Sequence, residues 1–432
     1  MHKPGDKVKV VTKDEVVEGV LMPNEETDSI VIKLDNGYNV GIDKGKVKKI
    51  ELIEKNREKE VKKGNVKINK NLPTISILHT GGTIASKVDY KTGGVVARFE
   101  PEELIGMFPE LEKIANIKSR LISKMFSEDM RFAHYELMIK AIKEEIKEGI
   151  DGIILTHGTD TMTYTSAALA FALEGLPIPV IIVGAQRSSD RGSSDAGVNL
   201  VCAAEFIAKT DFSGVAICMH ENMDDNTCVI LPPCKTRKMH TSRRDAFKPV
   251  NDTIIARIDF ENKKIEFVKK EYVKKDKKRA LIVKDKFEEK VSILRCHPNM
   301  VPKQFEFYES YNGLVIEGTG LGQAPVGVPN KLCEIHKKNL IAINNLIEKG
   351  TLVVMTSQTI FGRVQMHVYS NAIDLVNVGV ISGEDMLSET AFIKLAWLLG
   401  NYKDKEEIKR LISTNLRGEI NTRIGPDEFL EE

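Results

Sequence analysis

From Thr74 onward, short and almost wholly apolar runs alternate with amphipathic stretches long enough for helices, and few folds accept that rhythm. The clearest helix is FAHYELMIKAIKEEIKEG from Phe132, where Tyr135, Met138, Ile139, Ile142 and Ile146 share one face and Gly149 stops it. A buried strand, Gly152 to Thr156, follows directly. PIPVIIVGAQ (177–186), a helix after Asp195 and GVAICM (214–219) continue the pattern. Strands apolar on both faces, with helices between them, predict a parallel, doubly wound α/β sheet. A hairpin-like stretch from Thr253 to Val268 closes this region. After a Lys-dense segment, strands from Val291, Gly313, Thr351 and Gly379 alternate with helices near 330–349 and 388–399, which predicts a smaller C-terminal α/β domain.

The first fifty residues read differently. VKVV, VVEGVL and SIVIKL alternate in short strands, and Asn36-Gly37 is a strong hairpin turn signal. About five strands in so short a span suggest a small closed or half-open barrel. The division that follows is a small SH3-like β-barrel at 1–53 and a charged linker at 54–72. Then come an α/β domain at 73–270, a second linker at 271–289, and a C-terminal α/β domain with a helical tail at 290–432. A chain of 432 residues with 42% hydrophobic content can bury such cores without covalent staples. The six cysteines form no C-x-x-C pair and read as buried small hydrophobes of a reducing, cytoplasmic interior. No run reaches the roughly 18 apolar residues of a membrane span, and the N-terminus lacks a signal-peptide core.

In a doubly wound sheet, ligands gather at the carboxyl ends of strands. Two polar loops fall there: Thr80-Gly81-Gly82-Thr83, and His157-Gly158-Thr159-Asp160-Thr161. The glycine pair could cradle a phosphate, but it lacks both the Lys-[Ser/Thr] ending of a P-loop and the third glycine of a dinucleotide fingerprint. The second loop places a hydroxyl beside a carboxylate at Thr159-Asp160. A threonine becomes a nucleophile only when a held base takes its proton. Lys238, in RKMHT, is a candidate for that base, and a solvated lysine in a basic run is the plain alternative.

TGGTIAS (80–86), SEDM (127–130), THGTDTMTYTS (156–166) and VGAQRSSDRGSSDAGVNL (183–200) occur in the order in which the L-asparaginase family carries them, and the chain resembles that family over roughly 72–400. The resemblance implies an asparaginase-like doubly wound domain with Thr83 as nucleophile. It gives catalytic roles to Thr159, Asp160 and Lys238, with Lys235 as the other lysine the motif could match. Ser127 and Glu128 correspond to holders of the substrate's α-carboxylate and α-amino groups, with Asp160 also facing the ammonium. Tyr90 and Thr92 resemble the lid, and His79 and His157 read as structural neighbours. The reaction implied is acyl transfer on a side-chain amide, with no metal or cofactor in this chain. A homodimer is expected by the same resemblance.

The barrel, the body and TSQTIFGRVQMHVYS (356–370) together resemble the D-subunit family of archaeal glutamyl-tRNA(Gln) amidotransferases. By that resemblance the chain is a glutaminase within a heterotetramer. It would pass ammonia to the E subunit, which would use ATP and Mg²⁺ to amidate glutamate on tRNA(Gln). The alternatives are a stand-alone L-asparaginase and a non-catalytic amino-acid sensor. Nine Lys/Arg against three acids between Lys263 and Arg279 could touch tRNA phosphate. A solvated linker has the same composition and is the favoured reading, with tRNA(Gln) expected mainly on the partner. Glutamine and asparagine differ by one methylene, worth about 1–3 kcal/mol, so composition does not separate them.

Overall fold

The computed structural model describes residues 2–22, 28–34, 39–55, 69–82, 86–88, 95–97, 108–187 and 194–429. Residues 7–54 form a five-stranded antiparallel sheet, ordered 39–43, 29–33, 16–21, 7–12, 47–54. Its alternation is the cause: Val8, Val10, Val17, Ile32 and Ile42 all point into one small core. Among the described residues the order ends on strands 39–43 and 47–54, and no rung joins these two. The Asn36-Gly37 turn and most of the first linker (56–68) lie outside the described residues.

Among the described residues, the body that follows holds a sheet of eight strands. Five are parallel, in the order Asn116–Met125, Thr74–Gly81, Gly152–Thr156, Pro179–Val183, Gly214–His220. Thr227–Leu231, Ala256–Asp259 and Ile265–Phe267 extend it antiparallel, the last two being the expected hairpin. Alternation inside each buried strand sorts side chains to two faces. Leu78, Ile153, Leu155, Val180 and Ile182 join one core, while Ile75, Ile77, Ile154, Ile181 and Val183 join the other. Helix Phe132–Lys147 lies on the first face and helix Ala196–Lys209 on the second, as double winding requires.

The second sheet, Val291–Arg295, Gly313–Gly318, Leu352–Ser357 and Ile381–Ser382, is fully parallel. It does not stand apart. Helix Met162–Ala172, lined with small alanines, packs on helix Ser388–Asn401, and Phe171 stacks on Trp397 at 5.4 Å. A single core therefore contains Leu78 and Leu155 of one sheet with Val315 and Val354 of the other.

Residues 271–289 bind these bodies together. Backbone bonds run from Ser213 N to Val273 O, from Lys284 N to Ala172 O and from Glu288 N to Ala396 O. Leu173 and Glu174 pair antiparallel with Val283 and Ile282, and the Trp397 indole donates to Lys284 O at 2.9 Å. Lysine density there marks outward side chains over a pinned backbone: Lys274 pairs with Asp211 and Lys277 with Asp151.

Candidate active site

The first strand of the body, Thr74–Gly81, lies between the second, Asn116–Met125, and the third, Gly152–Thr156. Winding therefore reverses between Thr74–Gly81 and Gly152–Thr156, and the crevice outside their carboxyl ends is where such sheets bind ligands. Both polar loops open into it. They touch backbone to backbone: Gly82, at φ +77°, sits where a Cβ would be 2.4 Å from Gly158 N and Cα. Gly158 in turn leaves room only for Ser127, whose Cβ a side chain at 158 would meet at 2.7 Å. Small residues at 82 and 158 thus let three chain segments converge.

Thr80 supports this junction and does not face the crevice chemistry, since its hydroxyl donates to Thr156 O at 2.8 Å in a buried position. His79 bonds Ser119 Oγ (3.0 Å) and Thr156 Oγ1 (3.1 Å), and His157 bonds Gly158 O (2.6 Å) and Thr165 Oγ1 (2.8 Å). Burial lowers both imidazoles to about 4. They are neutral braces under the two loops.

These braces set a pH dependence of folding. The unfolded chain protonates histidine near 6.5 whereas the folded chain resists down to about 4, so across that interval the unfolded state binds more protons. Stability must fall as pH falls through the window, by roughly 2 kcal/mol per histidine at pH 5. Urea denaturation is expected to show a lower midpoint at pH 5 than at pH 7, and His157→Gln should shrink that difference. An unchanged difference in the variant would remove His157 from this account.

Beyond Gly158, Thr159 is buried and Asp160 exposed. Lys238 Nζ donates to Thr159 Oγ1 at 2.8 Å and to Asp160 Oδ1 at 2.7 Å. The lysine side chain is 13% exposed and the Asp160 side chain 64%, so the triad has a dry side and a wet side. Lys238 rides on the hairpin Thr236–Lys238/Phe247–Pro249, opposite the fully buried Phe247. Lys235 goes elsewhere: it is wholly buried and pairs with Asp385 Oδ2 at 2.6 Å.

Ser127 is buried in a short 3-10 turn. Its Oγ accepts from Asp160 N at 3.2 Å, and its carbonyl accepts from Thr161 Oγ1 at 2.7 Å. Glu128, next in the turn, is exposed. Thr83, Tyr90 and Thr92 lie outside the described residues.

Two further residues hold the crevice wall, and the motif 183–200 carried them without an assigned role. Asp195, fully buried, accepts from Gln186 N and Arg187 N at 3.0–3.1 Å, and Asn199 donates to Gly184 O at 3.0 Å. An i, i+4 polar pair on an otherwise apolar helix face was the available signal.

Sheet order, crevice and motif order define a protein of the asparaginase class. The Asparaginase, N-terminal model matches residues 74–272, and the Glutaminase/Asparaginase C-terminal domain model matches 290–412. The thermostable L-asparaginase of Thermococcus kodakarensis superposes with a TM-score of 0.71 at 28% identity, covering 81% of this chain and 100% of that one. L-asparaginase I of Vibrio cholerae gives 0.69 at 26% identity, covering 81% and 99%.

The N-terminal sheet narrows the class, because residues 2–53 match the GatD N-terminal domain. The chain belongs to the D-subunit family of glutamyl-tRNA(Gln) amidotransferases. It is 44% identical to the Pyrococcus furiosus member over 99% of this chain and 97% of that one. The Methanococcus maripaludis member is also 44% identical, over 97% and 98%. Among the described residues no helix is long and apolar enough to cross a membrane.

Proposed function

We propose that this chain is the glutamine-hydrolysing component of a cytoplasmic glutamyl-tRNA(Gln) amidotransferase, a carbon–nitrogen ligase that takes glutamine as amido donor. The observation that carries the reading is the Thr159–Lys238–Asp160 triad, at the sheet's switch point, in a chain nearly coextensive with the D subunits. Thr83 attacks the side-chain amide carbon. Its Oγ–C bond forms, its proton passes through the Lys238–Thr159 relay to the amide nitrogen, the C–N bond breaks and ammonia leaves. Water then cleaves the ester to give glutamate.

Backbone N–H groups near Thr83 and Thr159 stabilise the oxyanion. Ser127 and Glu128 hold the α-carboxylate and α-amino groups, and Asp160, with Oδ1 on Lys238, offers Oδ2 to the ammonium. The Tyr90 and Thr92 segment closes over the substrate. Closure excludes water from the ester-forming step. A homodimer of this chain joins two copies of the E subunit, which binds ATP, Mg²⁺ and most of the tRNA(Gln).

The test is ammonia release from glutamine and from asparagine, with and without the E subunit and Glu-tRNA(Gln). Glutamine hydrolysis that rises on adding both is expected. Fast asparagine hydrolysis indifferent to both would replace this reading with a stand-alone L-asparaginase.

A further inference from the structure

The hairpin that carries Lys238 is tied to the body whose crevice it serves by Lys248, which donates to Glu221 O at 2.7 Å, but most of the side-chain bonds at its entry and exit reach into the C-terminal body. At its entry, Cys234 O accepts from Thr390 Oγ1 at 2.8 Å, and Lys235 Nζ donates to both Asp385 Oδ2 (2.6 Å) and Asp385 O (2.8 Å). At its exit, Asn251 donates to Gly362 O (2.8 Å) and Asp385 O (3.2 Å) and accepts from Gly362 N (2.9 Å). Val250 N returns to Lys235 O at 2.7 Å, which ties entry to exit. Asp385 also accepts from Asn421 N at 3.0 Å, and Asn421 donates to Asn251 O. The motif 356–370 enters here through Gly362 and through Arg363, which pairs with Glu384.

Lys235 and Asp385 are both without exposed side-chain surface. A buried ion pair rarely stabilises a fold more than a well-packed apolar pair, so stability alone does not account for this one. Its directional bonds do fix geometry. Lys235 is three residues from Lys238, and their ammonium groups engage opposite bodies: Asp385 on one side, Thr159 and Asp160 on the other.

We infer that the buried Lys235–Asp385–Asn251 cluster is a positioning device that sets Lys238 against Thr159, so that turnover depends on it and substrate binding does not. The inference rests on the proposed role of Lys238. Ser127 and Glu128 are not on the hairpin, and Asp160 meets Lys238 through Oδ1, which leaves Oδ2 for the ammonium, so the two effects separate.

The test uses the assembled amidotransferase and two variants. Lys235→Met/Asp385→Asn removes both charges yet keeps an acceptor for Asn421 N. Asn251→Gly keeps a backbone that sits at φ +53° and removes only the side-chain bonds. The double variant is expected to melt within a few degrees of wild type, with kcat for glutamine lowered at least about tenfold and KM changed less than about threefold. Asn251→Gly should show the same split at about threefold in kcat, and it decides the matter if the double variant does not fold. Wild-type kcat in the folded variants, or a lowered kcat accompanied by a raised KM and a lowered melting temperature, would overturn the inference. Lys238→Met run alongside separates the layers. If it keeps glutaminase activity the proposed relay itself fails, whereas an inactive Lys238→Met beside fully active cluster variants sinks only the positioning role.

Discussion

Lys238→Met should abolish most glutamine-dependent ammonia release, by about 10²–10⁴-fold in kcat, while amidation supported by free ammonium continues. Methionine fills the space of the lysine stem but offers no donor to Thr159 and no charge to Asp160. The folding cost is small because the Asp160 side chain is 64% exposed and recovers water when its partner leaves. Loss of activity with an unchanged melting temperature therefore reports chemistry. Ammonium-supported amidation is the internal control, since on the proposed function that step belongs to the amidating partner. Its loss would indicate broken assembly. Thr83→Val and Thr159→Val are expected to behave alike, because a relay fails when any member is removed. If Thr83→Ala left glutamine-dependent amidation intact, the pocket would be a sensor and the hydrolytic reading would fall.

Much of this site was legible because its parts are local. Leu155 and Ile182 alternate with Ile154 and Ile181 within single strands, so the buried sheet and the two loops at its edge follow from periodicity. Helix Phe132–Lys147 buries Tyr135, Met138, Ile139 and Ile142, the residues its 3.6-residue repeat groups together. What stayed hidden depends on distant partners. Residues 271–289 look like a linker because their stabilisation comes from backbone pairing, which leaves no mark on side-chain pattern. The antiparallel extension of the sheet, paired across Thr227–Leu231, was hidden for the same reason. Lys235 and Lys238 were both open matches to the motif lysine. The separation between them comes from Asp385, 150 residues further along the chain.

The largest steric effect expected on turnover belongs to Gly82→Ala. The new Cβ would lie 2.4 Å from Gly158 N and Cα and 2.9 Å from His157 C, all backbone atoms, so no side chain can swing aside. The loop 157–161 cannot yield freely either. Gly158 already rests against Ser127, and His157 is held by Gly158 O and Thr165. Relief to ordinary contact requires a shift of about 1 Å, and that displacement carries Thr159 off its 2.8 Å bond to Lys238. Glutaminase activity should drop at least about 10²-fold, on the scale by which such misplacement slows enzymes. The positive φ adds about 1 kcal/mol of backbone cost for any residue with a Cβ. Gly149→Ala isolates that second term, because Gly149 has φ +80° with no atom within 4 Å of the added Cβ. The two variants should lose similar amounts of stability from strain, with Gly82→Ala losing more from the clash, and only Gly82→Ala should lose catalysis. Denaturant titration and steady-state glutaminase assays on both would read this directly. Near-normal turnover in Gly82→Ala would mean that the contact between the two loops does not set the geometry of Thr159.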